Sequence, residues 1–401
     1  MLSNLRIYPH VMKNGASFWW FFIFLAFHVF SVYCTFSSTD DWVSIDCGND
    51  NFFFDDASVL WDLDDLYTDA GINQKIRINQ NQPLEILNTL RSFPSSSQQS
   101  CYKFQTYQQN LRYLVRSGFL YGDYDGLNRP PAFDLLLDGK KMSAIEPASA
   151  TEIIMDELVY TSEGSGFMNL CLAQRKDGGV PFISSIQAIP TGDDLYSKMA
   201  SNETFRLIAR INYGRDDQEK RILSPGDDYE RVWTLGTTPP NCNNVSAIAD
   251  FESPENDPPP FILEEAIESV NASSPITLTV DFPKSSSPSQ SAYFVLYFTE
   301  VEDFLNEKNR TIDIFINSVL MSTITTSIHK CTVVTLFPVA VNASTVNVML
   351  AAANSSAGFP PLISAMEVFT KVIATGGGPS MHFTFLSSVL MLCVSVLANL
   401  W

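Results

Sequence analysis

From Trp42 onward the chain alternates short apolar runs with turns rich in Gly, Pro, Asn and Asp. WVSID, FDLLL, EIIM, MNLCLA and PFISSIQAI come first; ITLTVDF, AYFVLYF, TIDIFIN and STVNVML follow. Each run is of strand length, and the three-to-four periodicity of a long helix is missing, so the pattern predicts β-strands throughout. WDLDDLYTDAG could form one amphipathic turn, although its acids are spaced as in a solvated loop. The proline run PENDPPP at 254–260 cannot lie in a helix or a central strand and belongs to a connection or an edge. Two β-rich modules are expected, 41–215 and 225–373, with the division falling between about 205 and 225. Regularly spaced short strands of this kind close as sandwiches or jelly rolls.

A weak internal repeat supports two modules. Residues 119–138, FLYGDYDGLNRPPAFDLLLD, align without a gap onto 298–317, FTEVEDFLNEKNRTIDIFIN, at an offset of 179. Phe119 falls on Phe298, Asp134 on Asp313 and Asp138 on Asn317. Each copy reads as strand, polar loop, alternating strand and turn, and the loops differ most.

With 401 residues there is room for two domains with separate cores. Phe is frequent (29) and charged residues sparse (17%), which suits β-rich packing. A net charge of −19 repels phosphate backbones, so nucleic acid is excluded as a partner, and polyanionic polysaccharides fit poorly.

The ends suggest a compartment. Arg6 and Lys13 precede an apolar stretch from Phe18 to Phe36 and then Ser37 and Ser38, the layout of a signal peptide over 1–38 or of an uncleaved signal anchor. Residues 374–401 carry Gly376, Gly377, Gly378, Pro379 and Ser380 ahead of an apolar tail, which reads as a GPI-anchor signal or a transmembrane segment. Either reading expects a membrane-tethered protein of the secretory pathway. Six N-x-[ST] sequons agree with that route: Asn202, Asn244, Asn271, Asn309, Asn342 and Asn354. Cys47, Cys101, Cys171, Cys242 and Cys331 lack C-x-x-C spacing, so no zinc site is expected; up to two disulfides are, with one thiol left over.

The order of several strings resembles a known family. IDCG at 45, LRSFP at 90, CY at 101, YLVRSGFLYGDYDG at 113, FDLLL at 133, CL at 171, PFIS at 181 and DDYERVW at 227 are similar to the malectin-like extracellular domains of plant receptor-like kinases, over Trp42 to Val372. The resemblance implies an all-β chain of two tandem malectin-like β-sandwiches, of the jelly-roll, galactose-binding-like type. No kinase motif and no leucine-rich repeat accompanies them.

Animal malectin grips a diglucoside with loop aromatics and an acid, and the matching loop lies within the repeat. The resemblance therefore points to Tyr121, Asp123, Tyr124 and Asp125 as ligand-binding residues, since a sugar needs flat rings to stack on and carboxylates for its hydroxyls. In module two Glu302 and Asp303 stand where the aromatics would be, which disfavours a second sugar site. The alternative is that both tyrosines pack over the sandwich edge while the acids shape a turn.

Asp62, Asp64, Asp65 and Asp69 lack the glycine and terminal glutamate of an EF-hand loop and read as a solvated acidic loop. Arg116 and Arg231 are expected to pair with carboxylates. Of four histidines, His28 and His382 lie in the apolar ends and His10 before the signal core; His329 has no G-x-S-x-G elbow for company. We therefore expect no catalysis, no cofactor and no metal. The expected function is carbohydrate binding by a membrane-anchored protein at the extracellular face of the plasma membrane, with the endoplasmic reticulum as the alternative site. The alternative function is a cell-surface co-receptor ectodomain that binds a peptide or protein beside a membrane partner.

Overall fold

The structure, a computed structural model, describes residues 42–376 except 57, 79–84, 95–97, 107–109, 164–165, 193, 216–220, 224–226, 248–253, 284–288, 302–309, 354–358 and 374. The two apolar ends, together with Asn309, Asn354, Glu302 and Asp303, lie outside the described residues. Among the described residues no helix is long and apolar enough to cross a membrane.

Module one runs through β1 (Val43–Asp46), β2 (Phe53–Phe54), β3 (Leu60–Leu63), β4 (Ile72–Lys75), β5 (Thr89–Ser92), β6 (Gln99–Gln105) and β7 (Arg112–Leu120). It continues with β8 (Phe133–Leu137), β9 (Lys140–Ile145), β10 (Ile153–Thr161), β11 (Phe167–Gln174), β12 (Phe182–Ile183) and β13 (Ser185–Thr191). Module two starts with β14 (Phe205–Asn212), β15 (Arg221–Leu223), β16 (Val232–Leu235), β17 (Cys242–Ser246), β18 (Glu265–Ser269), β19 (Ile276–Asp281) and β20 (Gln290–Phe298). It ends with β21 (Thr311–Ile316), β22 (Val319–Thr325), β23 (Thr332–Val341), β24 (Thr345–Ala352), β25 (Leu362–Ile363) and β26 (Ala365–Lys371), after which β27 (Thr375–Gly376) returns to pair with β9 of module one. The acidic segment, read from the sequence as a solvated loop, contains a short 3-10 helix, Asp64–Leu66.

The repeat that the sequence showed over twenty residues runs through both modules. β7, β10 and β13 pair side by side in module one as β20, β23 and β26 do in module two, with β20 central where β7 is. The hairpin β8–β9 turns through Asp138 and Gly139, at φ of 46° and 75°, and β21–β22 through Asn317 and Ser318, at 47° and 67°. Two-residue turns with both positions left-handed match strand twist, which explains why Asp and Asn coincide there.

The entry strands repeat as well. IDCG at the end of β1 has its counterpart in INYG at the end of β14. Gly48 and Gly214 both take positive φ (75° and 91°), and a Cβ on either would collide with the backbone of Leu90 or Ala266. Only glycine fits these two positions. WDL in β3 and WTL in β16 each run parallel to the entry strand. Their indoles donate to acids six residues upstream: Trp61 to Asp55 at 2.9 Å and Trp233 to Asp227 at 3.5 Å.

Pairing also moves the division between modules. β14 lies within the stretch expected to close module one, yet it pairs along its length with β26 and touches β10 through only two residues, Arg206 and Phe205. It is the first strand of the second sandwich. Through it the main sheets of both modules join into one sheet of twelve strands. Each sandwich core lies between this sheet and its own smaller one: β27-β9-β8-β11-β6 in module one and β19-β24-β21-β22 in module two. A third apolar cluster, including Leu114, Val159, Tyr196, Trp233, Tyr293 and Phe369, draws on both modules.

One disulfide is present among the described residues, Cys101–Cys171, between directly opposed positions of β6 and β11. Among the described residues no second bridge is formed. Cys47, Cys242 and Cys331 are buried free thiols, each in a different apolar cluster. Burial pushes the Cys331 thiol up to about 12, so it is inert as a nucleophile near neutral pH.

Candidate binding surfaces

The loop after β7 begins where Gly122 donates to the Ala150 carbonyl at 3.0 Å and then folds back on itself. Tyr121 and Tyr124 are buried and meet edge to face, centroids 5.5 Å apart, each also against Phe182. The Tyr121 hydroxyl donates to Asp125 and, at 3.4 Å, to Asp123. Asp123 also accepts from the Asn128 amide at 2.6 Å and Asp125 from the Leu127 amide at 3.0 Å. The structure thus brings all four predicted residues together, with rings in the core of module one and carboxylates tied to their own loop. Neither ring offers a face to solvent, so stacking a sugar on them requires this loop to open.

The acidic segment after β3 is not a solvated loop throughout. Asp64 is fully buried, held by Arg91 Nε at 2.5 Å and Nη2 at 2.6 Å, and accepts from the Tyr102 hydroxyl at 3.1 Å. Asp65 shares Arg91 from the surface. A guanidinium compensates the buried carboxylate, and no group of residues fit to hold a metal occurs among the described residues. Asp46, buried beside it, has its carboxyl raised to about 6 by desolvation, against hydrogen bonds from Asn49 and Thr89.

Where the modules join, a buried row of alternating charge crosses the sheet. Gln187, Arg116 and Glu157 stand opposite one another on β13, β7 and β10; Arg210 and Glu367 do so on β14 and β26. Arg116 Nη2 lies 2.8 Å from Glu157, Arg210 Nη2 2.7 Å from Glu157, and Arg210 Nε 2.5 Å from Glu367. The Tyr196 and Tyr297 hydroxyls donate to Glu367 at 2.6 and 2.7 Å. Burial would raise the Glu157 carboxyl, but Arg210 and Arg116 outweigh it and hold it at about 2. Arg231 pairs with buried Asp227 at 2.9 Å and donates to the carbonyls of Asn256 and Asp257, which fastens the proline-rich connection to the sheet. The sequence paired Arg116 and Arg231 with carboxylates but gave no sign of Arg210, which lies in the otherwise ordinary strand FRLIARIN.

Of the sequons, Asn202, Asn244, Asn271 and Asn342 are exposed. The Ser273 hydroxyl donates to Asn271 Oδ1 at 2.7 Å within its sequon.

The family profile described as malectin-like domain matches residues 45–371. The chain belongs to the malectin-like domain family. It is 28% identical over 292 residues to a probable LRR receptor-like serine/threonine-protein kinase of Arabidopsis thaliana, covering 70% of this chain and 33% of that protein. The chain spans between 33% and 53% of the length of the first curated relatives it matches. Among solved structures it is similar to the ANX2 ectodomain from Arabidopsis thaliana, with a TM-score of 0.69 at 14% identity, covering 84% of this chain and 100% of that one. It is also similar, with a TM-score of 0.67 at 17% identity, to a chain in the structure of the plant peptide RALF23 in complex with FER and LLG2, covering 84% and 98%. At such identities the likeness shows the fold: malectin-like β-sandwiches in tandem.

Proposed function

We propose that this protein is a non-enzymatic, membrane-tethered ectodomain of the secretory pathway that binds a peptide or protein ligand beside a membrane co-receptor. The observation that supports this most is the match of both sandwiches, in one continuous fold, to a chain crystallised with the RALF23 peptide and LLG2. The fused sheet and its buried charge row make the two modules a single rigid platform, which lowers the ordering cost of binding a flexible ligand. A charge of −19 favours basic ligands, through faster and better oriented encounter. The apolar ends and the sequons support passage through the secretory pathway and anchoring outside the cytosol.

Carbohydrate binding at Tyr121, Asp123, Tyr124 and Asp125 has less support, because the rings are packed away and the acids engaged by their own loop. The deciding experiment takes the full chain in detergent, titrates it with RALF23 and with a displayed random-peptide library, and probes a glycan array in parallel. Salt-sensitive peptide binding with a blank array is the expected result. Glucan binding that is lost in the Tyr121→Ala, Tyr124→Ala variant, with no peptide retained, would reverse the assignment.

A further inference from the structure

The twelve-stranded sheet ends in module one at β2, and among the described residues no strand pairs with its outer edge. The β2–β3 ribbon has two contrasting faces. Phe53 and Trp61 turn inward over Ile86, Leu87 and Leu120, and the Trp61 indole is fixed by Asp55. Phe52 and Phe54 alternate with Phe53, so they point outward, with 63% and 64% of their surface exposed. Leu60 stands directly opposite Phe54, and exposed Ile72 adjoins Asn73, whose amide reaches Asp50 at 3.4 Å. A solvated strand normally places polar residues on such a face and often lysine along such an edge; here it carries two phenylalanines.

Among the described residues the edge is also open for pairing. The Asp55 amide donates to the Val59 carbonyl, so Phe54, one residue earlier, faces Leu60 without exchanging hydrogen bonds. Its own amide and carbonyl point away from β3. The surroundings have one sign of charge: residues 50–69 hold seven aspartates and no Lys, Arg or His. Of these, Asp64 and Asp65 are met by Arg91, while Asp50, Asp56 and Asp69 are exposed.

We propose that this ribbon is a docking surface for an extended basic peptide segment, which adds a strand beside Phe52–Phe54 and places alternate apolar side chains on Phe52, Phe54 and Leu60. Backbone pairing supplies affinity, the exposed rings supply side-chain sites, and the aspartates select lysine and arginine. The acidic rim argues against an anionic lipid surface as occupant. The inference rests on the peptide-binding reading above and names its surface.

The test selects random displayed 12-mers on the full chain and compares binding to wild type, Phe54→Lys and Asp56→Lys. Selected peptides should be basic with alternating apolar positions and bind Phe54→Lys about tenfold more weakly or worse. Asp56→Lys should slow their association and flatten its salt dependence. Both sites are on the surface, and unchanged denaturation midpoints would show that the variants fold. Peptides or RALF23 that bind wild type and both variants alike would overturn this surface while leaving the peptide-binding function intact. A chain that captures no peptide would overturn both.

Discussion

The two sandwiches share a backbone plan and differ in how each closes the same end. After β7, module one seals its core with rings: Tyr121 and Tyr124 lean on Phe182. After β20, the position of Tyr121 is taken by Glu300, buried and paired with Arg310 at 3.1 Å, and the position of Phe182 by Leu362. Arg310 also reaches Glu268 at 2.8 Å, and the Thr326 hydroxyl donates to Glu300. A second contrast lies on the outer sheets. The Cys101–Cys171 bridge of module one sits at the register occupied in module two by Thr277 and Met349. Duplication therefore preserved strand order, turn geometry and the two entry glycines, because these fix where the chain goes. The chemistry that fills the sandwich ends was free to diverge, so ligand contacts do not transfer from one module to the other by alignment.

The largest effect expected is at the seam between the modules. Arg210→Met leaves Glu157 and Glu367 buried without their shared cation, and should destabilise by about 3–5 kcal/mol, read as a lower urea midpoint. Arg310→Met tests whether module two depends as heavily on its own pair; a loss confined to module two, seen by hydrogen exchange, would show that the modules unfold separately. Tyr124→Ala opens the ring cluster of module one and should lower stability by about 3 kcal/mol. A negligible change there would mean that the loop can leave the core, which would revive sugar stacking on Tyr121. Replacing both Cys101 and Cys171 by Ala should cost about 2–4 kcal/mol, measured as a midpoint shift that reductant no longer alters.

The smallest effects are pH-dependent and of opposite sign. Asp46, raised to about 6, favours the folded state when protonated, so its contribution is complete below its ordinary value of 3.8 and is lost as pH rises through 6. Glu157, held at about 2, contributes above 4.5, and that contribution is lost as pH falls toward 2. Urea midpoints at pH 7, 5 and 3 should show Asp46→Asn flattening the upper limb alone. An unchanged upper limb would remove Asp46 as its cause.

Much of the first-order architecture is legible in residue order. Apolar runs of strand length, turn chemistry at Asp138 and Asn317, and the proline run at 254–260 suffice for a β-rich pair of modules, since each depends on local backbone preference. The fuller repeat was present too, in IDCG against INYG and WDL against WTL. Loops of different length obscure it, shifting the offset from 166 at the entry strands to 172 at the tryptophans and 179 at the hairpins. Residues 119–138 match 298–317 without an insertion, so the offset stays constant over that whole stretch.

The site was less legible. Tyr121, Asp123, Tyr124 and Asp125 have the composition of a sugar platform whether their rings face water or core, and residue type alone does not choose between them. Asp64 likewise belongs to an acidic string in sequence, and only its meeting with Arg91 from β5 makes it structural. Local order determined strands, turns, family and the two-module plan of this chain, because backbone sterics and side-chain alternation act over a few residues. The tertiary structure alone decided that β14 joins both sheets, that Arg210 sits between two glutamates, and that Phe52 and Phe54 are left facing solvent. Those outcomes depend on which residues, far apart in the chain, arrive at the same place, and on what then remains to cover or compensate them.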